Sequence, residues 1–419
     1  MTAIAGPSPH PGMGPKQFIA LIAALMAINA VAIDSMLPAL PTIATALGLT
    51  SSNQQQWIVT SYLIGFGAAQ IVYGPLADRY GRRPVLLVGL AIYVACSLLA
   101  ASAGSFGVLM AARALLGIGA AATRVLSVSV VRDCYNGARM ARVMSFAFIV
   151  FLAVPIVAPS LGQLIMLAGP WRWVFVALAL FGSVVAAWTA LKLPETLKPG
   201  DRIPIEPARI AAAFRTALTS RIALGYMLAM TMMIGGLFGF INSAQQVFDR
   251  TFGAARYFPA IFAAIAFFMA CSSLINATVV ERLGPRRVSH TALLLYIGFA
   301  AVHTGVALAG YETLWTFSFF QAGMMFCFGL VASNFGAMAM GPLGHLAGTG
   351  SSVQGLVTTL GGALIGLLIG QCFDGTTVPL TVGFTITGVI ALVFVMVAEH
   401  GRLFRRHALP RDADAGVGH

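Results

Sequence analysis

Long apolar runs alternate with short polar segments along the whole chain. Because a helix needs about 20 apolar residues to cross the hydrocarbon core of a bilayer, each run of that length predicts a membrane-spanning helix. Twelve runs qualify, at 17–40, 54–76, 84–104, 107–131, 141–168, 172–193, 221–247, 257–280, 288–309, 313–340, 349–372 and 378–399. They predict an all-α membrane protein of twelve transmembrane helices, with both termini on the same side.

The charged residues support this prediction and orient it. Only 9% of the 419 residues are charged, against about a quarter in soluble domains. Of 25 Lys and Arg, we place 20 on one side; three (Arg172, Arg250, Arg256) fall in opposite loops and two (Arg113, Arg124) inside a span. Basic loops face the cytoplasm, which predicts a multi-pass membrane protein with cytoplasmic termini. The net charge of +12 therefore indicates anionic lipid headgroups as a partner, and not nucleic acid.

Other residue types exclude several classes of site. The five cysteines are scattered singly, without the spacing of a metal or redox site (Cys96, Cys134, Cys271, Cys327, Cys372). We therefore expect no metal and no cofactor. The first apolar run is too long for a signal-peptide core and is predicted to be a retained helix.

The longest loop, 194–220, is rich in charge and proline and divides the chain into two halves. Within it, Ile210, Phe214 and Leu218 recur every four residues beside basic positions, which predicts an amphipathic helix on the inner leaflet. The predicted domains are a six-helix half at 1–193, the linker at 194–220, a second six-helix half at 221–400 and a cytoplasmic tail at 401–419.

An internal repeat supports the division into halves. The sequence ADRYGRRPV at Ala77–Val85 is followed 203 residues later by VERLGPRRV at Val280–Val288. Acid, arginine, glycine, arginine and valine recur in register. A loop that returns one half-chain later indicates a duplicated six-helix unit.

The first copy of this repeat lies in the segment GPLADRYGRRPVLL, Gly74–Leu87. Four charges within six residues would each cost about 2.5–3.5 kcal/mol inside hydrocarbon, so they must lie at a membrane surface. We expect a loop of about eight residues that ties the second and third spans into a tight antiparallel hairpin.

This segment resembles the loop between helices 2 and 3 of the major facilitator superfamily, through Gly74, Leu76, Ala77, Asp78, Arg79, Gly81, Arg82 and Arg83. The resemblance implies two six-helix halves around a mid-membrane site. It also implies a latch that holds the cytoplasmic side closed, with its residues at Gly74, Asp78, Arg79, Gly81, Arg82 and Arg83.

Asp34 is the only acid that we place well inside a span. Burying it there is costly, so it should face a cavity or a partner. It is either a protonatable group or a packing residue locked to an arginine. Arg113 is its expected neighbour, since both lie roughly 10 Å inside the outer surface. The segment Arg113–Arg124, RALLGIGAAATR, resembles the helix 4 pattern of proton-driven facilitators, which implies a role for Arg113 in proton coupling.

The substrate cavity is predicted from helix faces and polar or aromatic residues in apolar runs. Met26, Ala30 and Asp34 share one face of the first span at four-residue spacing. The further candidates for the cavity wall are Asn29, Tyr62, Arg124, Phe148, Phe238 and Asn242. Interhelical hydrogen bonding, core packing and snorkelling of Arg124 to the headgroups are the alternatives for these residues.

The fifth span contains VPIVAPSLGQLI, Val154–Ile165. Only Pro159 and Gly162 match the helix 5 signature of antiporters. With Pro155, however, the segment resembles the Bcr/CflA branch of drug:proton antiporters, as do IDSMLPALPTIA at 33–44 and PWRWVF at 170–175. The two prolines should also kink the helix.

Together with these observations, the resemblance implies a monomeric, proton-coupled transporter of a bacterial inner membrane that exports drug-like amphipathic compounds by alternating access, with a small-molecule substrate and protons as partners. Two alternatives stay open. A cavity with several convergent polar side chains would favour a transporter of a native sugar, amino acid or nucleoside. An intramembrane cluster of His, Asp or Glu would favour a membrane enzyme or receptor, but only an isolated His303 lies in a span.

Overall fold

The computed structural model describes residues 13–135, 137–205 and 207–404. Every regular element in these ranges is helical. The α-helices are α1 (Pro15–Asp34), α2 (Leu40–Ala46), α3 (Gln56–Tyr80), α4 (Arg82–Ala101), α5 (Phe106–Cys134), α6 (Gly137–Ala168), α7 (Arg172–Lys192), α8 (Pro207–Thr219), α9 (Arg221–Gln246), α10 (Phe258–Leu283), α11 (Pro285–Leu308), α12 (Leu314–Met340), α13 (Ala347–Gln371) and α14 (Val378–Ala398).

Twelve helical segments of the described chain are long and apolar enough to cross a membrane, which confirms the predicted all-α membrane fold. The first is longer than expected. Pro15–Ala46 combines α1, a 3-10 turn at Leu37–Ala39 and α2. Pro38 and Pro41 lie in the first turns of the two short helices, where proline is tolerated because the first amides of a helix have no partner. Asp34 therefore lies at a break in this span.

The corner between α3 and α4 differs from the expected eight-residue loop. Helix α3 continues to Tyr80, and α4 begins at Arg82, so Gly81 alone makes the turn. Its φ of 104° is readily adopted only by glycine. Gly284 makes the same turn between α10 and α11, with a φ of 81°. The charged ends can remain helical because a helix can extend beyond the hydrocarbon into water.

The two six-helix halves meet along two seams, α3 against α13 and α6 against α10. A Cβ at Gly67 of α3 would lie only 2.9 Å from the amide nitrogen of Leu360, so the backbones of the first seam approach closely. The end of the bundle with the α3–α4 corner and the 194–220 linker is called the linker end below, and the opposite end the far end. Helix α8 lies in the linker and packs against α13 and α9, whereas the tail beyond Phe404 lies outside the described residues.

Candidate functional site

A cavity of about 240 Å³ lies between the two halves. Helices α1 and α6 form its wall on one half, and α9, α10 and α12 form it on the other. Its apolar lining includes Phe148, Phe151, Leu237, Phe238, Phe240, Phe262, Met269, Met325 and Phe328. The polar side chains among the described lining residues are Asn29, Asp34, Ser273 and Ser333.

Paired aromatic rings stiffen both walls of the cavity. The rings of Phe148 and Phe151 stack with centroids 5.6 Å apart, and those of Phe240 and Phe262 do the same on the opposite half. Such surfaces accept flat apolar groups and attract cations through the faces of the rings. The cavity is therefore suited to amphipathic compounds, and offers few polar groups to a sugar.

Asp34 is the last residue of α1 and is 4% exposed. Its carboxyl group makes no hydrogen bond or ion pair with any described residue, and it lies on a largely apolar wall. An unpaired carboxylate in such surroundings is costly, and either a proton or a bound cation relieves that cost. No other ionisable side chain occurs among the described residues of the wall.

The expected ion pair between Asp34 and Arg113 is not formed. Arg113 is fully buried and donates from Nη1 to the carbonyl oxygen of Ala32 at 3.1 Å and from Nε to that of Ile58 at 3.0 Å. Its guanidinium carbon lies 4.6 Å from the ring centroid of Tyr62. The arginine thus points into the α1–α3–α5 junction behind the cavity wall, where two carbonyl oxygens and a ring face contact it, while its buried Nη2 makes no hydrogen bond with any described residue.

Tyr62 lies in the same junction, and not on the cavity wall as expected. It is fully buried, and its hydroxyl donates to Oδ1 of Asn29 at 2.6 Å. Asn29 does line the cavity. A continuous series of contacts therefore runs from Arg113 through Tyr62 to Asn29 on the cavity wall.

The remaining predicted cavity residues divide between the wall and its surroundings. Ala30, Phe148 and Phe238 line the cavity. Met26 instead belongs to the core behind α1, and Asn242 donates to Oγ1 of Thr60 in the other half at 3.3 Å. Arg124 is exposed and is not among the lining residues.

Apart from Phe238, sequence reasoning missed the part of the wall that the second half contributes. Phe240, Phe262, Met325 and Phe328 line it, but in continuous apolar runs no polar neighbour distinguishes a cavity-facing position from a lipid-facing one.

The helix 5 motif residues hold α6 against the break in the first span. Helix α6 runs through both Pro155 and Pro159, and Pro155 lines the cavity. A Cβ at Gly162 would collide with the backbone carbonyl of Ser35, the residue after Asp34. Gly162 therefore lets α6 approach the segment that carries the carboxyl group.

At the linker end, charged residues of the first half form the linker-end cluster, defined as Asp78, Arg82, Arg83, Asp133 and Glu195. Arg82 is 3% exposed and pairs through Nη1 with Asp78 at 2.6 Å and through Nε with Asp133 at 3.0 Å. Glu195 accepts hydrogen bonds from the backbone amides of Arg82 and Arg83, at 2.9 and 3.2 Å. The cluster ties α3, α4, α5 and the end of α7 together.

The other expected latch residues have different surroundings. Arg79 is exposed and lies over the ring of Tyr80 at 5.4 Å, away from the cluster. Gly74 faces the second half, because a Cβ there would lie 3.2 Å from Oγ of Ser352 on α13. This glycine is the point at which the α3 end of the corner approaches the opposite half.

The second half has an arrangement similar to the linker-end cluster, with fewer acidic residues among those described. Glu399 follows α14 as Glu195 follows α7, and it pairs with Nε of Arg286 at 2.6 Å. The hydroxyl of Tyr226 also donates to Glu399 at 2.8 Å. Burial raises the pKa of this carboxyl, but the hydrogen bonds from Arg286 and Tyr226, together with the nearby positive charge, leave the pKa below its usual value.

A sequence model described as Major Facilitator Superfamily matches residues 20–366. The chain belongs to the Major Facilitator Superfamily. This membership confirms the resemblance seen in the Gly74–Leu87 segment.

Individual members of the superfamily match nearly the whole length of the chain. The bicyclomycin resistance protein homolog of Haemophilus influenzae is 29% identical over 369 residues, which cover 87% of this chain and 91% of the relative. The multidrug resistance protein MdtL of Salmonella heidelberg is 28% identical over 396 residues, 92% of this chain and 98% of the relative. The E. coli xylose transporter XylE, in a partially occluded inward-open conformation, matches with a TM-score of 0.71 at 12% identity, over 94% of this chain and 99% of that one. The last match shows the shared fold.

At its far end, this superfamily member joins its halves through uncharged side chains. We call these the far-end amide network: Asn53, Gln55, Gln56, Gln245, Gln246 and Gln371. Gln56 donates to Gln246 at 2.6 Å and to the carbonyl of Gly370 at 2.8 Å. Gln246 donates to the carbonyl of Ser52 and to Asn53, each at 3.0 Å. These bonds hold the two halves together at the far end.

His303 is not isolated, contrary to the expectation from the sequence. Its Nε2 contacts Oε1 of Glu312, and Glu312 also accepts from the hydroxyl of Thr377. Glu312 precedes α12 and Thr377 precedes α14, so the group links three helix ends of the second half. It lies outside the cavity wall and is better explained as a structural contact of this superfamily member than as an enzyme site.

Proposed function

We propose that this chain exports drug-like amphipathic compounds in exchange for protons, by alternating access to the central cavity. The observation that carries the proposal is Asp34, a single unpaired carboxyl group in an aromatic and Met-lined cavity between the halves. The relatives named for bicyclomycin and multidrug resistance support export.

In the proposed cycle, substrate and proton compete for Asp34. A cationic or amphipathic compound binds among the rings with its polar group at the carboxylate. Protonation on the outward side neutralises the carboxyl group and releases the compound. The halves then rock about the site, and the proton leaves Asp34 on the inward side.

The membrane potential that acts on one proton supplies enough free energy to drive export of a neutral compound. One charge that crosses 100 mV supplies about 2.3 kcal/mol. Since about 1.4 kcal/mol corresponds to a factor of ten, this term alone supports a concentration gradient of tens of fold for a neutral compound.

The orientation of the protein in the membrane is part of the same proposal. We place the linker end in the cytoplasm of a bacterial cell and the far end in the periplasm, because 20 of 25 Lys and Arg fall on the linker side. The protein then acts as a monomer in the inner membrane, with α8 along the inner leaflet.

The function is tested with purified protein. A panel of cationic and neutral aromatic compounds, sugars and amino acids is screened for thermal stabilisation, and each compound that binds is added to liposomes that contain the protein and a pH-sensitive dye. We expect aromatic compounds to stabilise the protein and to drive proton movement in the opposite direction. Proton movement driven only by sugars or amino acids would instead identify a metabolite transporter.

Asp78→Asn should slow transport about tenfold while substrate binding stays within a few fold. The change removes one of two acids from the buried Arg82, and a hydrogen bond to a charged group is worth roughly 1.5–3 kcal/mol. Asp78 lies at the linker end, away from the cavity. Transport rate and equilibrium binding are measured on the same preparation.

The matched control is Glu281→Gln. Glu281 occupies the position of Asp78 in the second half, is exposed and has no bonding partner among the described residues. It should leave transport unchanged. Loss of binding in Asp78→Asn, with folding intact, would contradict a role in switching.

A further inference from the structure

Outside the central cavity, a second cavity of about 380 Å³ lies between α10 and α11. Both helices pack on α12 but diverge from each other, so Leu330 of α12 forms the floor of the opening. We call this the α10–α11 groove. The residues that line it are Val279, Leu283, Arg287, Val288, Thr291, Ala292, Leu295, Leu330 and Phe404.

The groove runs from the linker end into the membrane-facing surface. Arg287 and Phe404 lie at its linker end, and Leu295 lies eight residues further along α11, about 12 Å deeper. Leu283 and Leu295 are 51% and 53% exposed, so the groove opens toward lipid and not toward the protein interior. Its length and apolar lining suit an extended hydrocarbon chain.

None of the described residues neutralises the charge at the mouth of the groove. Arg287 makes no hydrogen bond or ion pair with any described residue, whereas its neighbour Arg286 is held by Glu399. The repeat aligns Arg287 with Pro84 of the first half. The first half therefore lacks this cation.

We propose that the α10–α11 groove binds one anionic phospholipid, with its phosphate on Arg287 and an acyl chain along Thr291, Leu295 and Leu330. A basic pocket between transmembrane helices at the cytoplasmic surface has the charge and polarity for such a ligand. The chain's own tail is a poorer occupant, because Arg405 and Arg406 follow Phe404 directly and would bring like charge to Arg287. This inference is independent of the transported substrate.

The proposal is tested on the purified full chain by native mass spectrometry and by thermal shift, with dioleoyl phosphatidylglycerol as the probe and dioleoyl phosphatidylcholine as the neutral comparison. Arg287→Gln should weaken phosphatidylglycerol binding about fivefold, the effect of one cation near an anionic headgroup. Arg142→Gln makes the same charge change at an exposed position of the first half and should have no effect.

A second pair of variants tests the groove itself. Thr291→Trp fills it and should abolish retention of the lipid, whereas Leu294→Trp adds the same bulk to an exposed residue outside the groove and should not. Inorganic phosphate should not displace the lipid. Equal retention by Thr291→Trp and Leu294→Trp would overturn the proposal. So would binding that appears only after removal of residues 405–419, because the groove would then be the site of the tail.

Discussion

Asp34→Asn will abolish accumulation driven by a pH gradient while the protein still folds and inserts. Asp34 is the only ionisable side chain on the described cavity wall and has no protein partner there, so an amide of the same shape breaks no hydrogen bond or ion pair among the described residues. The amide imitates the protonated carboxyl group and cannot release a proton. Substrate binding should therefore also lose its pH dependence.

The measurement is uptake into inside-out vesicles, with pH gradient and membrane potential imposed separately. With one carrier acid the expected exchange is one proton per substrate. Export of a monovalent cation is then electroneutral and responds to the pH gradient alone, whereas export of a neutral compound also responds to the potential. Asp249→Asn, at an exposed far-end position, is the matched control and should retain both behaviours. Proton-coupled transport at the wild-type rate in Asp34→Asn would return Asp34 to a packing role.

The double variant Gln56→Ala, Gln246→Ala should shift the protein toward a state that is open at the far end. The change removes five hydrogen bonds between the halves. At roughly 0.5–1 kcal/mol net for each hydrogen bond, the shift is about 3 kcal/mol. That corresponds to about a hundredfold change in the ratio of open to closed protein.

The opening is read from a cysteine placed on the cavity wall at Ser273, in a background without the native cysteines. A membrane-impermeant maleimide applied from the far end should label it much faster in the double variant. Gln54→Ala is the control, because the described side-chain contact of Gln54 stays within its own segment, at Ser51. Unchanged labelling in the double variant would mean that other contacts keep the far end closed.

The number of spans and their order could be predicted because the thickness of the hydrocarbon core sets the length of every apolar run. The one-residue turn at Gly81 could not be predicted from the sequence. Composition shows where charged residues lie outside the membrane, but it does not show whether the helix ends there. Hydropathy also does not show which way a buried side chain points. The sequence predicts Asp34 as the neighbour of Arg113, but the bonds of Arg113 go to the carbonyls of Ala32 and Ile58.

The cavity was predicted unevenly for the same reason. In the first half, Asn29 and Asp34 interrupt an apolar run and so mark one helix face. The second-half wall is built from Phe and Met within continuous apolar sequence, where no residue stands out. The far-end amide network has a visible signal, the runs SSNQQQ at 51–56 and NSAQQ at 242–246. Which residue of one run pairs with which residue of the other depends on how the two halves pack together. Neither run alone determines that packing.

The chemistry of the far-end amide network bears on how well this end of the protein prevents proton leakage. None of its described side chains gains or loses a proton between about pH 4 and pH 9, because amides do not titrate there. On the periplasmic side that we propose for this end, acid or salt outside the cell would leave the seal at full strength. The far end would then open only in response to a change inside the cavity. An acidic medium would not open a transporter without substrate, and protons would not leak through it into the cell.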